Sequence, residues 1–218
     1  MKFYCNKSES VFSADKTLFE NSDIVVFGFN GIKRISYKQE LSGVEDLLVK
    51  FSKLSKSTNK IIISATNTDN YGIIRKSLIV AEKGKILGIS DMNIKLQGED
   101  CSVGAGYRVY QTSVGRIGVL IGDDILDFDG VKAMTICDAD IIILVTTESE
   151  KEEYNFILRA YSYLFGVPIL ALTATSVLAS DINGEIVCGS RDNITKLILP
   201  TKKCFRLITT KRRGKKVR

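Results

Sequence analysis

This 218-residue sequence contains no histidine, so the first residues to consider for covalent or acid–base chemistry are its cysteines and carboxylates. That absence excludes Ser-His-Asp and Cys-His catalysis and any histidine metal site. The five cysteines are Cys5, Cys101, Cys137, Cys188 and Cys204. No two of them form a Cys-x-x-Cys pair, and no signal peptide indicates an oxidising compartment. We therefore expect reduced thiols in a cytoplasmic protein that uses no metal and no cofactor.

Two adjacent carboxylates, Asp123 and Asp124, follow an apolar segment that ends at Ile121. Neighbouring residues of a strand point to opposite faces, so these two carboxyl groups are not expected to share a proton as an acid–base pair. Asp124 has the residue type of an N-cap and lies shortly before a predicted helix. We therefore expect Asp124 to have a structural role, as the cap of that helix.

Short apolar segments rich in β-branched residues predict the strands that must position these groups. Residues 24–27, 61–63 and 141–144 are apolar on both faces, which is typical of sheets that are covered on each side. A hairpin is predicted over residues 77–89, with Gly84 supplying the positive φ of its turn. Further strands are predicted over residues 107–111, 116–121 and 167–173, and after a tight turn at 181–185.

Three segments have the periodicity of helices that are apolar on one face. In the first, apolar residues from Leu41 to Phe51 share a face, which predicts one helix over residues 38–54. The other two helices are predicted over residues 127–137 and 154–164. Because strands alternate with both helices and hairpins, the sequence predicts an α+β protein, a mixed-sheet sandwich with helices outside.

The net charge of +6 comes from one end of the chain. Six basic residues and no acid lie there: Lys211, Arg212, Arg213, Lys215, Lys216 and Arg218. Removing these six from the 31 basic residues leaves 25, which equals the 25 acidic residues. We expect one domain over residues 1–210 and a disordered basic tail over 211–218. Nucleic acid is not an expected partner of the domain, but attraction of the tail to RNA, DNA or anionic lipid stays open.

Membrane insertion is not expected either, because no apolar stretch approaches the roughly 20 residues of a membrane-spanning helix.

Several segments, in order along the chain, resemble motifs of the carbon–nitrogen hydrolase (nitrilase/amidase) superfamily. The most specific is residues 115–124, GRIGVLIGDD, which resemble the strand-to-elbow motif GRIGVxICYD that carries the catalytic cysteine. The weaker matches are residues 22–27 to GADLVVFPE, 137–144 to the GADxxxxP strand, 159–160 with 165–168 to the RAxEN helix and the strand after it, and 183–185 with 189–190 to the GxS hairpin. The resemblance covers about three quarters of the chain and implies a four-layer α-β-β-α sandwich with two mixed sheets covered by helices.

The chemistry of that family needs a cysteine nucleophile, a glutamate as general base and acid, and a lysine beside the developing oxyanion. The positions that match these three motifs hold Gly122, Phe29 and Asn93, respectively. Glycine has no atom with which to form a thioester, and Phe29 cannot transfer a proton, a loss of about 10²–10⁴-fold for a general base alone. Asn93 could donate one neutral hydrogen bond, which is weaker than a charge-assisted one.

Some polar residues near these positions could be remnants of the site. Lys95 would take the lysine position if the loop alignment shifted by two residues, and Glu99 roughly matches a second pocket glutamate of the family. Asp123 and Asp124 lie at the elbow, and Cys101 belongs to the loop on the pocket side.

The resemblance therefore implies a nitrilase-fold protein that is catalytically inactive and acts as a ligand-binding or subunit-forming module. It also implies a homodimer or higher homo-oligomer, which pairs through the helix over residues 154–164 and the helix that follows the elbow. The alternative is an active amide or nitrile hydrolase with a relocated nucleophile such as Cys101. A small-molecule ligand is expected, but the sequence does not identify it.

Overall fold

The structure is a computed structural model that describes residues 1–95, 100–149 and 152–201 of the chain. Glu99 and the predicted tail at 211–218 lie outside the described residues. The strands are β1 (Lys2–Asn6), β2 (Ile24–Phe27), β3 (Ile35–Ser36), β4 (Ile61–Asn70), β5 (Ile73–Glu82), β6 (Lys85–Asp91), β7 (Arg108–Thr112), β8 (Gly115–Ile121), β9 (Ile141–Val145), β10 (Ile169–Leu172), β11 (Val177–Ser180), β12 (Ile186–Ser190) and β13 (Ile194–Ile198). The α-helices are α1 (Tyr37–Ser42), α2 (Leu47–Thr58), α3 (Phe128–Ile136) and α4 (Glu152–Phe165), and short 3-10 helices cover Lys16–Phe19 and Gly122–Leu126.

The strands form two mixed sheets. The first has the order β13-β1-β2-β4-β5-β6, with β3 also paired to β4, and the second has the order β12-β11-β10-β9-β8-β7. In the first sheet β1, β2 and β4 run parallel, and in the second β8, β9 and β10 do. The remaining neighbours in these two orders pair antiparallel, mainly as hairpins.

Three apolar cores define the layers. The first lies between the sheets, where side chains such as Ile63 of β4 and Ile143 of β9 meet. A second core packs α2 against the outer face of the first sheet, through residues such as Phe51. A third packs α3 and α4 against the outer face of the second sheet, through residues such as Met134 and Leu158. The predicted α-β-β-α sandwich is therefore confirmed.

The prediction of one helix over residues 38–54 is wrong. The chain forms α1 and α2 with a break between them, because Gly43 adopts φ +74° and ends α1. Leu41 and Val44, which the periodicity placed on the buried face, are 80% and 73% exposed. The helix that packs on the sheet begins only at Leu47.

The first strand, β1, was not predicted from the sequence. It is only five residues long and begins and ends with polar side chains, Lys2 and Asn6. Nevertheless β1 lies inside the first sheet, between β13 and β2, and its Phe3, Tyr4 and Cys5 are buried. Its neighbours in space come from distant parts of the sequence, so local periodicity does not reveal its place.

Lys7, which directly follows β1, joins the two sheets. Its side chain is buried, and its Nζ donates hydrogen bonds to the carbonyl of Thr175 at 2.5 Å and to the carbonyl of Arg191 at 2.8 Å. These carbonyls belong to the β10–β11 and β12–β13 connections. Burial lowers the pKa of Lys7. The ammonium group thus replaces solvent for two backbone acceptors.

Within the described residues, no helix is long and apolar enough to cross a membrane.

Candidate functional site

The elbow at Gly122 follows directly from the end of β8, as the motif predicts. Gly122 has φ +56°, in the left-handed region that a residue with a Cβ adopts at a cost of about 1–2 kcal/mol. A Cβ atom at this position would lie 2.8 Å from the sulfur of Met92. Met92 itself is fully buried. The space in front of the elbow, where a nucleophile would stand, is therefore filled by the Met92 side chain.

Asp124 holds the loop after β6 against this elbow. Its Oδ1 accepts hydrogen bonds from the backbone N–H groups of Asn93 at 2.7 Å and Ile94 at 2.9 Å, and its Oδ2 accepts one from Ile121 at 3.1 Å. The side chain is 1% exposed. Burial raises the pKa of Asp124 to about 6, although the three N–H donors oppose that shift. All three contacts are to backbone donors, so this carboxylate has a structural role.

The structure corrects the expectation that Asp124 caps the following helix. The cap of α3 is Asp127, whose carboxylate accepts a hydrogen bond from the N–H of Asp129 at 3.1 Å. The other carboxylate oxygen of Asp127 accepts one from the Tyr107 hydroxyl at 2.8 Å. Asp124 belongs instead to the 3-10 helix at the elbow, one turn earlier.

Asn93 lies next to the elbow through its backbone, while its side chain stabilises the same loop. The amide oxygen of Asn93 accepts a hydrogen bond from the N–H of Gly106 at 2.8 Å. That contact joins the two ends of the loop between β6 and β7. The side-chain oxygen of Asn93 therefore has a structural partner.

Phe29 lies on a tight turn directly after β2. The N–H of Gly31 donates to the carbonyl of Gly28 at 3.0 Å, which closes the turn around Phe29. The Phe29 ring is partly buried and packs against the inter-sheet core, to which Met92 also belongs. The structure thus brings the backbone of Asn93 to the elbow at Gly122, and it packs Phe29 against the apolar core to which Met92 belongs.

The structure also describes three other sequence candidates: Lys95, Cys101 and Asp123. Lys95 is exposed, and its Nζ donates to the backbone carbonyl of Cys101 at 3.0 Å. Cys101 is half-buried and packs against the inter-sheet core. Asp123 is buried beside Asp124. The described residues contain no cluster of three or more cysteine, aspartate or glutamate side chains that could hold a metal ion.

A cleft of about 370 Å³ lies beside Cys101. Its lining residues are Arg34, Asn67, Ile74, Lys76, Asp100 and Cys101. The guanidinium of Arg34 is paired with Asp69 at 2.7 Å, and Lys76 Nζ donates to the Thr147 hydroxyl at 3.4 Å. The cleft contains one arginine and one lysine beside apolar surface, and these two cations could bind a small anionic or polar ligand.

Sequence reasoning missed two features. The first is the pair of cationic residues that line the cleft, Arg34 and Lys76. The second is the Met92 side chain, which fills the space in front of the elbow. The register that pairs Asn67 with Lys76 could have placed Lys76 on the inner face, once β4 and β5 were extended to their observed lengths. No spacing rule relates Met92 to Gly122, since the two residues meet only through the tertiary fold.

The fold defined by these two sheets and their helices is that of the nitrilase superfamily. A carbon–nitrogen hydrolase from Helicobacter pylori G27 superposes with a TM-score of 0.69 at 16% identity, over 92% of this chain and 90% of that one. Saccharomyces cerevisiae Nit3, a member of branch 10 of the nitrilase superfamily, gives 0.71 at 16% identity, over 90% and 89% of the two chains. An amidase from Nesterenkonia sp. gives 0.70 at 11% identity, over 98% and 93%.

The similarity lies in the structure rather than in the sequence: no family model matches the chain, and no curated protein matches it. The fold predicted from the motifs is therefore confirmed by structural comparison.

Proposed function

We propose that this protein is a catalytically inactive member of the carbon–nitrogen hydrolase superfamily that acts as a ligand-binding or subunit-forming module. The observation that carries the proposal is the elbow itself. Gly122 offers no nucleophilic atom, and the buried Met92 sulfur fills the space in front of it. The residue after β2 that matches the general base is Phe29, which cannot accept a proton. Loss of the nucleophile and of the base removes both halves of the acyl-transfer chemistry.

Reaction with a small amide-derived electrophile tests the proposal. A mutant of the amidase from Nesterenkonia sp. AN1 carries the acetamide moiety of fluoroacetamide on its active-site cysteine. We expect that this chain, incubated with fluoroacetamide in its native state, keeps its unmodified intact mass, while that mutant, as the positive control, gains one acetamide group. We also expect no release of ammonia from simple amides. Stoichiometric labelling at one thiol together with amide turnover would contradict the proposal.

The alternative, an active hydrolase that uses Cys101, is tested by the same assay. If Cys101 were the nucleophile, labelling and turnover would be lost in Cys101→Ala and retained in Cys188→Ala, a matched change at another half-buried thiol. Beside Cys101, Lys95 Nζ donates a hydrogen bond to the backbone carbonyl of that residue at 3.0 Å.

Of the two proposed roles, ligand binding and subunit formation, we favour subunit formation, by self-association through α4. Phe156 and Tyr163 lie seven residues apart on this helix and are 65% and 52% exposed. Residues at this spacing share one helix face, and Phe128 of α3 adds a further exposed ring, 40% exposed. Aromatic residues are enriched at protein interfaces. We propose a homodimer in which this face meets its copy, in a cytoplasm that keeps the thiols reduced.

A further inference from the structure

A polar cleft of about 270 Å³ lies at the end of the sandwich opposite the elbow, and it is called the end cleft below. Its lining includes charged residues of both signs: Asp23, Lys60, Glu82 and Lys83. Ser113 also lines it, in the turn before β8, whereas the elbow follows the last residue of the same strand. Because β8 has seven residues, the end cleft lies about 20 Å from the elbow. It is therefore separate from the candidate catalytic site.

Strand pairing brings the four charged residues together. Asp23 directly precedes β2 and Lys60 directly precedes β4, and these parallel neighbours are paired from their first residues. Glu82 is the last residue of β5, the antiparallel neighbour of β4, and Lys83 begins the turn that follows it. Adjacent strands of a sheet lie about 4.8 Å apart. Residues from three strands therefore meet at one end of the first sheet.

Glu82 is a buried carboxylate in the wall of the end cleft, with 9% of the residue exposed. Its Oε1 accepts hydrogen bonds from the backbone N–H of Ser113, at 3.0 Å, and from the hydroxyl of the same residue. Both donors are neutral, and Oε2 forms no hydrogen bond with a described residue. Burial of a carboxylate is costly unless a positive charge compensates for it. Glu82 is therefore oriented by Ser113 and keeps an oxygen for a cationic donor.

The charges of the end cleft do not neutralise one another by direct contact. In the part of the chain that the structure describes, none of the four forms an ion pair. Asp23 Oδ2 accepts a hydrogen bond from the backbone N–H of Lys2 at 2.8 Å. Lys60 Nζ donates to the carbonyl of Glu20 at 2.8 Å, which leaves two of its three N–H donors. The side chain of Lys83 is exposed.

We infer that the end cleft binds a small zwitterion, a free α-amino acid. The ligand's ammonium group lies at Glu82 and Asp23, and its carboxylate lies at Lys60 and Lys83. A simple anion would meet two carboxylates, one of them buried, and a simple cation would meet two lysines. A molecule that carries both charges forms charge-assisted contacts with all four residues.

The size of the end cleft limits the ligand. Its volume is below the range of roughly 300–1,000 Å³ that drug-sized ligands occupy, which favours a small amino acid. Asn59 and Ser113 contribute polar side chains to the lining and favour a polar one on the ligand. This interaction goes beyond the proposed function and does not depend on it, because the end cleft contains no residue of the elbow or of α4.

Isothermal titration calorimetry with L-serine tests the inference. Two compounds of similar size separate its charges: ethanolamine lacks the carboxylate, and glycerate lacks the ammonium group. We expect L-serine to bind at one site, about tenfold more tightly than either compound, because each of them loses one set of charge-assisted contacts. Equal binding of the three compounds, or no saturable binding of L-serine, would overturn the inference.

Four variants test whether the ligand occupies the end cleft. Glu82→Gln keeps the shape of the side chain and an acceptor for Ser113, and its loss of charge should weaken L-serine binding about tenfold. Lys83→Gln removes a charge on the carboxylate side and should also weaken binding. The matched controls are Glu153→Gln and Lys85→Gln, at exposed residues that do not line the end cleft. Both controls should bind L-serine as the wild type does.

Circular dichroism melting of all four variants checks that they are folded. The exposed position of Lys83 keeps the test available if Glu82→Gln is unstable. In NMR spectra of isotope-labelled protein, L-serine should shift the backbone amide signals of Lys83 and Ser113 and leave those of Gly122 and Asp124 unchanged. Wild-type affinity in both cleft variants, or shifts confined to the elbow, would overturn the inference.

Discussion

The sulfur of Met92 lies 2.8 Å from the place that a Cβ atom on Gly122 would occupy. The two residues meet although β7 and β8 separate them in the sequence. Their contact closes the space in front of the elbow, and it makes a restored nucleophile incompatible with the present packing. The consequence can be measured in the stability of the protein.

Gly122→Cys should lower the free energy of unfolding by about 2–4 kcal/mol, the cost of a left-handed non-glycine residue plus that of displacing Met92. Gly43→Cys is the matched control. Gly43 also has a positive φ, +74°, but a Cβ there meets nothing within 4 Å. The difference between the two variants in urea denaturation isolates the steric conflict with Met92. Equal losses in both variants would show that Met92 does not fill the site.

Adding Met92→Ala to Gly122→Cys should cost less than the sum of the two single changes, because the truncated side chain no longer conflicts with the new Cβ. The double variant should still release no ammonia from amides, since Phe29 supplies no general base. Additive losses of stability would contradict direct contact between the two positions.

Asp124 should make stability depend on pH in the direction opposite to a salt-bridged carboxylate. Its pKa rises from 3.8 to about 6 on folding. The folded state therefore binds more protons than the unfolded state between these values, and this group's contribution to stability falls as pH rises through that window. Asp124→Asn removes the titration, so the stability of the variant relative to wild type should increase from pH 4 to pH 7, by up to about 3 kcal/mol.

Urea denaturation at several pH values measures this difference. Asp129→Asn is the control, because it removes the same type of group at a side chain that is 88% exposed. A constant difference between wild type and Asp124→Asn across the same pH range would contradict the shifted pKa.

The proposed dimer predicts that Phe156→Glu/Tyr163→Glu produces monomers in sedimentation velocity experiments. Burial of two carboxylates in a self-complementary interface carries a desolvation cost that the paired aromatic rings do not. Leu41→Glu/Val44→Glu introduces the same charges at two exposed apolar residues outside α4, and it should leave the dimer intact. Monomeric wild-type protein, or equal dissociation of both variants, would refute pairing through this face.

Lys7→Met should destabilise the fold by about 1–3 kcal/mol, because the carbonyls of Thr175 and Arg191 lose their ammonium donor in a partly buried place. Lys38→Met, at an exposed position on α1, should change stability little. Hydrogen exchange offers a second readout: the β10–β11 and β12–β13 connections should exchange faster in Lys7→Met alone. Unchanged hydrogen exchange in these two connections would mean that Lys7 does not hold the two sheets together.

The strands that the sequence reveals are those with continuous β-branched segments, such as residues 24–27 and 141–144. Their double-sided apolar character reflects a position between two packed layers, and the structure confirms it. The helix prediction over residues 38–54 failed because periodicity counts apolar residues and does not register the left-handed Gly43 that ends α1. The β5–β6 turn was predictable, since its Lys83-Gly84 pair takes the positive φ values that such hairpins need.

For the candidate site, the resemblance of residues 115–124 to a family motif located Gly122 at the end of β8, where the structure has it. Asp124 was assigned to the wrong partner, because the donors that it binds, Asn93 and Ile94, come from a loop whose path the sequence does not specify. Met92 was not foreseen at all. Whether a cavity is open or filled depends on the side chain that folding brings across from another strand.

The position of β1 has a consequence for synthesis. One of the two edges of this strand pairs with β13, which is synthesised nearly two hundred residues later. Until then Phe3, Tyr4 and Cys5 belong to a sheet with an open side, which can pair with another nascent chain. Synthesis of β13, rather than of the first half of the sequence, therefore sets when the first sheet can close.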